Sequence, residues 1–124
     1  MHLQIGAVAE RTELSIRTIR HYDEVGLVTP SARTGGGFRL YTEDDVDRLH
    51  TVRRMKPLGF TLEEMRRLLD SLTVLSDPAA EPHTRQAARD FVTDCHTRAT
   101  EACVTLEKQL GYAVEFRDLL ADRT

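Results

Sequence analysis

Arginine is the residue type of this chain with the most evident binding chemistry, and its placement is uneven. Arg17 and Arg20 lie three positions apart in "SIRTIRHYDEVGLVTP", so a helix would put them side by side. A guanidinium group can donate two parallel hydrogen bonds to a phosphate or to the edge of guanine. Arg33 and Arg39 flank a run of three glycines. This pattern indicates contact with nucleic acid.

Groups that could carry catalysis or hold a metal are few. The glycine run in "TGGGF" is not followed by the Lys-Ser/Thr pair of a phosphate-binding loop. The carboxylate pairs 44–45 and 63–64 fall at predicted helix N-termini, where the helix dipole accounts for them. No His/Cys cluster has metalloenzyme spacing. We therefore expect no enzymatic activity, no metal and no cofactor.

Short helices and a hairpin must position the arginines. The apolar spacing at the N-terminus predicts two short helices around a turn, and Ser15 is suited to cap the second one. Gly26 and Pro30 then end that helix. Residues 31–33 and 38–41 predict two very short strands around the glycine-rich tip. A basic helix followed by such a hairpin wing is a DNA-docking layout, with the helix in the major groove.

Two further helices complete the N-terminal part. Thr42 is suited to cap the third helix, which "KPLGF" ends because Pro57 cannot lie deep inside a helix. Thr61 and Glu64 form a predicted capping box ahead of a fourth amphipathic helix that extends to about Leu72. A loop from 76 to 82 follows.

From residue 83 to about 120 the apolar residues recur in alternating steps of three and four, which is typical of a coiled coil. A bend or an end is expected at Gly111. Because four short helices cannot cover so long a stripe, we predict a homodimer. The alternative is that the helix folds back on its own N-terminal domain. The predicted interface comprises Val92, Cys95, Ala99, Ala102, Cys103, Leu106 and Leu110.

The 124 residues carry a net charge of −3, distributed unevenly. Residues 1–67 hold 11 Lys or Arg against 10 Asp or Glu, and residues 68–124 hold 6 against 10. No apolar run approaches the roughly 18 residues of a membrane span, and the N-terminus does not resemble a signal peptide. A cytoplasmic protein without membrane contact is expected.

The sequence as a whole predicts a mainly α fold in three parts. Residues 1–75 form a winged helix-turn-helix domain with a short β-hairpin wing, and residues 76–82 form a linker. Residues 83–124 form a long dimerisation helix with a short tail, paired in the dimer as an antiparallel or a parallel coiled coil.

Three segments, "IRHYDEVGLVTP", "GFRLYTEDDVDRL" and "LGFTLEEMRRLL", resemble the N-terminal domain of the MerR family of bacterial transcription regulators. The resemblance covers about residues 3–72. It implies a homodimer whose long helices pair as an antiparallel coiled coil, bound to a pseudo-palindromic operator within an overlong promoter spacer. It also implies that the DNA is bent and untwisted for RNA polymerase, with deformation energy exchanged for protein contacts.

The resemblance also assigns DNA-contacting positions. His21 stands where Tyr or Phe is usual, Phe38 where many members carry Tyr, and Pro57 is atypical. The predicted DNA-binding residues are Ser15, Arg17, Thr18, Arg20, His21, Tyr22, Arg33, Gly36, Phe38, Arg39, Tyr41 and Lys56. Core positions for Tyr22 and Tyr41 are an open alternative.

The sequence names no effector, and the direction of regulation is open. The chain after the long helix is too short for the large effector domain of some family members. Cys95 and Cys103 are read as core packing, with a redox switch between subunits or a metal site as alternatives. Two other function classes remain open: an architectural, excisionase-like DNA-binding protein, and a protein-binding winged-helix adaptor.

Overall fold

The computed structural model describes residues 2–124 and is mainly helical. Its elements, in chain order, are β1 (Leu3–Gln4), α1 (Ile5–Thr12), α2 (Ile16–Glu24), β2 (Ala32–Arg33), β3 (Arg39–Tyr41), α3 (Glu43–Met55), a 3₁₀ turn (Lys56–Leu58), α4 (Leu62–Ser76) and α5 (Pro82–Ala121). The predicted mainly α winged-helix fold with a long final helix is confirmed.

A small antiparallel sheet supports the wing. Its strand order is β1-β3-β2, with Leu3 opposite Tyr41 and Arg33 opposite Arg39. Strand β1 was not predicted, because two residues are too few to show an alternating pattern. The hairpin strands are also shorter than predicted. Residues 31 and 38 lie outside them.

Side-chain caps explain where the helices of the N-terminal domain begin. The Oγ of Ser15 accepts a hydrogen bond from the Thr18 amide at 3.0 Å, as predicted. The predicted box of Thr61 and Glu64 is formed, and Thr42 forms a second box at the start of α3. The 3₁₀ turn ends at Gly59, whose φ of 85° suits glycine.

One hydrophobic core joins these helices to the sheet. Val8, Ile19, Tyr41 and Leu49 are fully buried in it. The carboxylate of Asp45 is also buried, where it accepts hydrogen bonds from the Ser31 and Thr42 amides at 3.1 and 2.9 Å. The carboxylate pair at 44–45 was attributed to the helix dipole alone. Asp45 in fact ties α3 to the start of the wing.

The long helix α5 has 40 residues and runs through Gly111 without a break. A bend or an end at Gly111 was therefore a wrong expectation, since one glycine costs only about 1 kcal/mol in a helix interior. The first half of α5 packs on α4 through the buried Ala88, Phe91 and Cys95. Its second half has no buried residue. No helix within residues 2–124 is long and apolar enough to cross a membrane.

Candidate nucleic-acid interface

Helix α2 presents a basic face because its apolar residues all point one way. Ile19 and Tyr22 are buried in the core. Arg17 and Arg20, on the other side, are exposed, and neither side chain has a hydrogen-bond or ion-pair partner within residues 2–124. Unpaired exposed guanidinium groups are available to phosphates or base edges.

The 3₁₀ turn after α3 adds a further cation to this face. An open cleft of about 680 Å³ lies between α2 and the turn. Its lining residues are Arg17, Thr18, Arg20, His21, Glu24 and Lys56. Lys56 is 32 or more positions from the other lining residues in sequence, so only the packing of α3 against the domain core brings it there. Four of the predicted DNA-binding residues, together with Lys56, thus share one surface.

The wing projects beside this surface as a tight turn. Thr34 organises its tip: the Thr34 amide donates to the Phe38 carbonyl and the Gly37 amide donates to the Thr34 carbonyl, both at 2.9 Å. Gly37 has a φ of 85°, which L side chains rarely adopt. Gly36, the predicted contact, has no such requirement. The ring of Phe38 is 70% exposed at the tip.

Both wing arginines are held by one carboxylate of α2. Oδ2 of Asp23 accepts from Nε of Arg39 at 2.7 Å and from Nη2 of Arg33 at 3.0 Å. The hydrogen bond to Asp23 raises the pKa of Arg39 above its ordinary value, so this residue stays charged. Asp23 was not predicted as a site residue, although an acidic residue three positions after Arg20 and two after His21 on a basic docking helix is unexpected.

Two predicted contacts are not on this surface. Tyr41 is fully buried, and its hydroxyl has no hydrogen-bond partner within residues 2–124. Tyr22 is 3% exposed. Burial raises the pKa of both phenols. The alternative that both are core aromatics describes their positions, because both belong to the hydrophobic core of the domain. Ser15 remains exposed, but its hydroxyl is engaged in capping.

The predicted dimer residues divide into two groups. Cys95 is 9% exposed and packs within its own chain, and Val92, Ala99 and Ala102 are half-buried. Burial raises the pKa of Cys95, which disfavours its reactive thiolate form. Cys103, Leu106 and Leu110 are exposed. Cys95 therefore contacts α4 of its own chain, and its position at a dimer interface stays a prediction.

The sequence did not predict the contact between Phe91 of α5 and α4. Phe91 is buried against α4, and the guanidinium of Arg67 lies 4.1 Å from its ring centroid. A similar contact places Arg98 over Phe60 at 3.9 Å. Phe91 lies one position before Val92, at the edge of the predicted apolar stripe. The large aromatic side chain at this position was the feature of the sequence that could have indicated a buried contact. Among residues 2–124, no three His, Cys, Asp or Glu side chains are grouped to hold a metal.

Comparison with known proteins decides the family. The family described as "MerR HTH family regulatory protein" matches residues 3–72, and the one described as "MerR, DNA binding" matches residues 46–99. The chain belongs to the MerR family. The resemblance seen in the sequence is thereby confirmed over the same residues.

Relatives within the MerR family include two curated regulators. The chain is 33% identical over 126 residues to the transcriptional activator mta of Bacillus subtilis, covering 98% of this chain and 47% of mta. It is 42% identical over 89 residues to the regulator ZntR of Escherichia coli, covering 72% of this chain and 60% of ZntR. The nodulation protein NolA of Bradyrhizobium sp. (strain NC92) is 42% identical over 74 residues. The chain spans about a third of NolA and less than half of mta.

Solved structures agree with the fold. The N-terminal part of the Bacillus subtilis multidrug transporter activator, MtaN, is 32% identical and superposes with a TM-score of 0.51, over 87% of this chain and 97% of MtaN. HiNmlR, a MerR family regulator lacking the sensor domain and bound to promoter DNA, superposes with a TM-score of 0.70 at 23% identity. That match covers 89% of this chain and 79% of HiNmlR.

Proposed function

We propose that this chain is a cytoplasmic, homodimeric transcription regulator that binds promoter DNA through α2 and the wing. The observation that carries the proposal is the common surface of Arg17, Arg20 and Lys56 beside the wing. An α-helix fits the major groove, and unpaired arginines at its exposed face can reach base edges and phosphates. Family membership and the DNA-bound relative HiNmlR support the same assignment.

The second half of α5 supports the homodimer. Leu106 follows Cys95 by about three helical turns, so the two side chains lie on the same face of the helix. At Cys95 this face packs on α4, and at Leu106 and Leu110 it is 52% and 64% exposed. An exposed apolar stripe on a continuous helix favours a partner that continues the packing. A second copy carries the matching stripe.

An apolar groove favours the antiparallel arrangement. The groove has a volume of about 310 Å³ and lies where α3, α4 and the first half of α5 meet, lined by Met55, Phe60, Leu72 and Val92. In an antiparallel pair, the exposed second half of each α5 lies beside the first half of its partner and can cover this groove. A parallel pair would place the two exposed second halves beside each other, away from the grooves.

Two linked domains explain how DNA could be distorted. The 40 residues of α5 extend about 60 Å at roughly 1.5 Å per residue, so an antiparallel pair holds its two DNA-binding domains at a fixed separation. We propose that this separation binds two half-sites of a pseudo-palindromic operator and bends the DNA between them. RNA polymerase at the distorted promoter is the further partner that the family implies.

The test combines selection of DNA with measurement of mass. Duplexes enriched by the purified chain from a random-sequence pool are expected to contain an inverted repeat. Sedimentation is expected to report two chains per enriched duplex, and affinity is expected to fall steeply as salt rises. A monomeric chain without salt-dependent affinity for duplex DNA would contradict the proposal and favour the adaptor. A dimer that bends DNA but leaves transcription by RNA polymerase unchanged would favour the architectural protein.

A further inference from the structure

Asp23 occupies an unexpected place for an acidic residue. It lies in the last turn of α2, on the side that faces the wing, and its side chain is only 12% exposed. A single oxygen, Oδ2, accepts hydrogen bonds from Arg39 at 2.7 Å and from Arg33 at 3.0 Å. The carboxylate therefore links α2 to both strands of the hairpin.

The two arginines use this carboxylate in different ways. Arg33 donates its other terminal nitrogen, Nη1, to the Gly37 carbonyl at 3.3 Å, so it connects Asp23 to the wing tip. Arg39 binds Asp23 through Nε alone. Both of its terminal nitrogens lack a hydrogen-bond partner within residues 2–124. The guanidinium is thus held at Nε, while the hydrogen-bonding capacity of its two terminal nitrogens remains unused.

We propose that Asp23 is a positioning residue for DNA binding: it fixes the wing to the recognition helix and aims the free nitrogens of Arg39 at a backbone phosphate. This inference rests on the proposed DNA-binding function. An arginine side chain loses rotamer freedom when it binds a phosphate, and one that is already held loses less. The same link sets the angle between the wing and α2, so helix and wing engage one duplex together.

The proposed role of Asp23 predicts a change in DNA affinity opposite to the one expected from charge alone. A carboxylate beside a DNA-binding surface repels phosphates, so its neutralisation would ordinarily tighten binding. If Asp23 positions the wing, its neutralisation weakens binding instead. Glu24 provides the matched comparison. It is the next residue of α2, is exposed, and has no hydrogen bond or ion pair within residues 2–124.

The experiment compares Asp23→Asn with Glu24→Gln, which make the same change in charge. The probe is a fluorescently labelled duplex enriched by the wild-type chain from a random-sequence pool, and binding is measured by anisotropy at several salt concentrations. Asp23→Asn is expected to weaken binding about 10-fold, in line with the loss of one charge-assisted contact. Its slope of log affinity against log salt is expected to fall by about 0.9 relative to Glu24→Gln, the value for one phosphate contact. Glu24→Gln is expected to tighten binding.

A double substitution shows whether Asp23 acts through Arg39. In an Arg39→Ala background, adding Asp23→Asn is expected to weaken binding by about threefold or less, because the positioned group is already missing. Arg39→Lys supplies a second test that leaves Asp23 in place. Lysine keeps the charge but has a single nitrogen, so it cannot bind Asp23 and also present two free donor groups to a phosphate. Arg39→Lys is therefore expected to weaken binding about as much as Asp23→Asn does.

The outcomes separate this inference from the proposed function. If the wild-type chain enriches no duplex, the DNA-binding function itself fails. If the wild-type chain binds but Asp23→Asn binds equally well or more tightly, only the positioning role of Asp23 is overturned. Full additivity of Asp23→Asn and Arg39→Ala overturns it as well. If Asp23→Asn does not fold, as judged by thermal melting, Arg39→Lys decides the question, and wild-type affinity for that variant overturns the inference.

Discussion

Leu106 gives the most direct test of the proposed dimer, because it is about half exposed (52%) in the single chain. Its replacement therefore costs the folded monomer little. A partner helix would cover the exposed part. Complete burial of a leucine side chain contributes about 1.5–3 kcal/mol, so burial of half of it contributes roughly 1 kcal/mol.

Twofold symmetry doubles this contribution. Leu106→Ala removes two side chains from one interface, or about 2 kcal/mol, which raises the dimer dissociation constant about 30-fold. Leu106→Asp adds the desolvation of two carboxylates in an apolar seam, a cost of several kcal/mol, and is expected to abolish the dimer at micromolar concentration. The thermal midpoint of the N-terminal domain is expected to remain the same when it is measured on the monomer.

Val104 provides the control for Leu106. It is also a large apolar residue of α5 and is 61% exposed, but two helical positions correspond to a rotation of about 200°, so it lies on the opposite face. Val104→Asp is expected to leave the dimer intact. Sedimentation equilibrium of the three variants across a concentration series gives the dissociation constants. The reasoning is refuted if Leu106→Asp remains dimeric, or if Val104→Asp dissociates the dimer as strongly.

Other residues give further expected outcomes. Arg20→Ala is expected to weaken duplex binding about 10- to 100-fold, the value of a lost charge-assisted hydrogen bond, without changing the dimer measured by sedimentation. Phe91→Ala is expected to lower the free energy of unfolding by about 3–5 kcal/mol in urea titrations, because it opens a cavity between α4 and α5; a loss below about 1 kcal/mol would contradict the assigned packing. The hydrogen bond from the Thr61 amide lowers the pKa of Glu64 from its ordinary 4.5; burial opposes this shift, and the Thr61 side chain and Arg98 add to it. A lowered carboxyl pKa stabilises the fold above pH 4.5 and ceases to do so as pH falls through the lower folded value. The melting difference between wild type and Glu64→Gln should therefore shrink on acidification, and a difference that is constant with pH would contradict this.

The helix boundaries of the N-terminal domain were largely determined by local sequence. Ser15, Thr42 and Thr61 cap the helices that they were predicted to cap, and Gly59 ends the turn before α4. Caps and glycine turns satisfy backbone groups within a few residues, so a local pattern contains the information. The family could be recognised for the same reason, since its matching segments are these caps, turns and apolar spacings.

The packing of α5 was only partly visible in the sequence. Its length and its stripe could be read from periodicity, but a stripe does not specify which segment covers each part of it. In the tertiary structure, Cys95 packs on α4 while Leu106 remains exposed on the same face. The difference arises because α4 is too short to accompany α5 along its whole length.

The sequence alone therefore determined the mainly α winged-helix class, the exposed arginines of α2 and the long final helix, because each depends on residues close together in the chain. Tertiary structure alone decided which side chains the surface contains. In the folded chain Tyr41 is buried in the core, Lys56 lies beside α2, and Asp23 lies between Arg33 and Arg39. Asp23, for example, is 10 positions from Arg33 and 16 positions from Arg39 in the sequence. Such contacts are determined by how helices and strands pack, and no local pattern of residues records that packing.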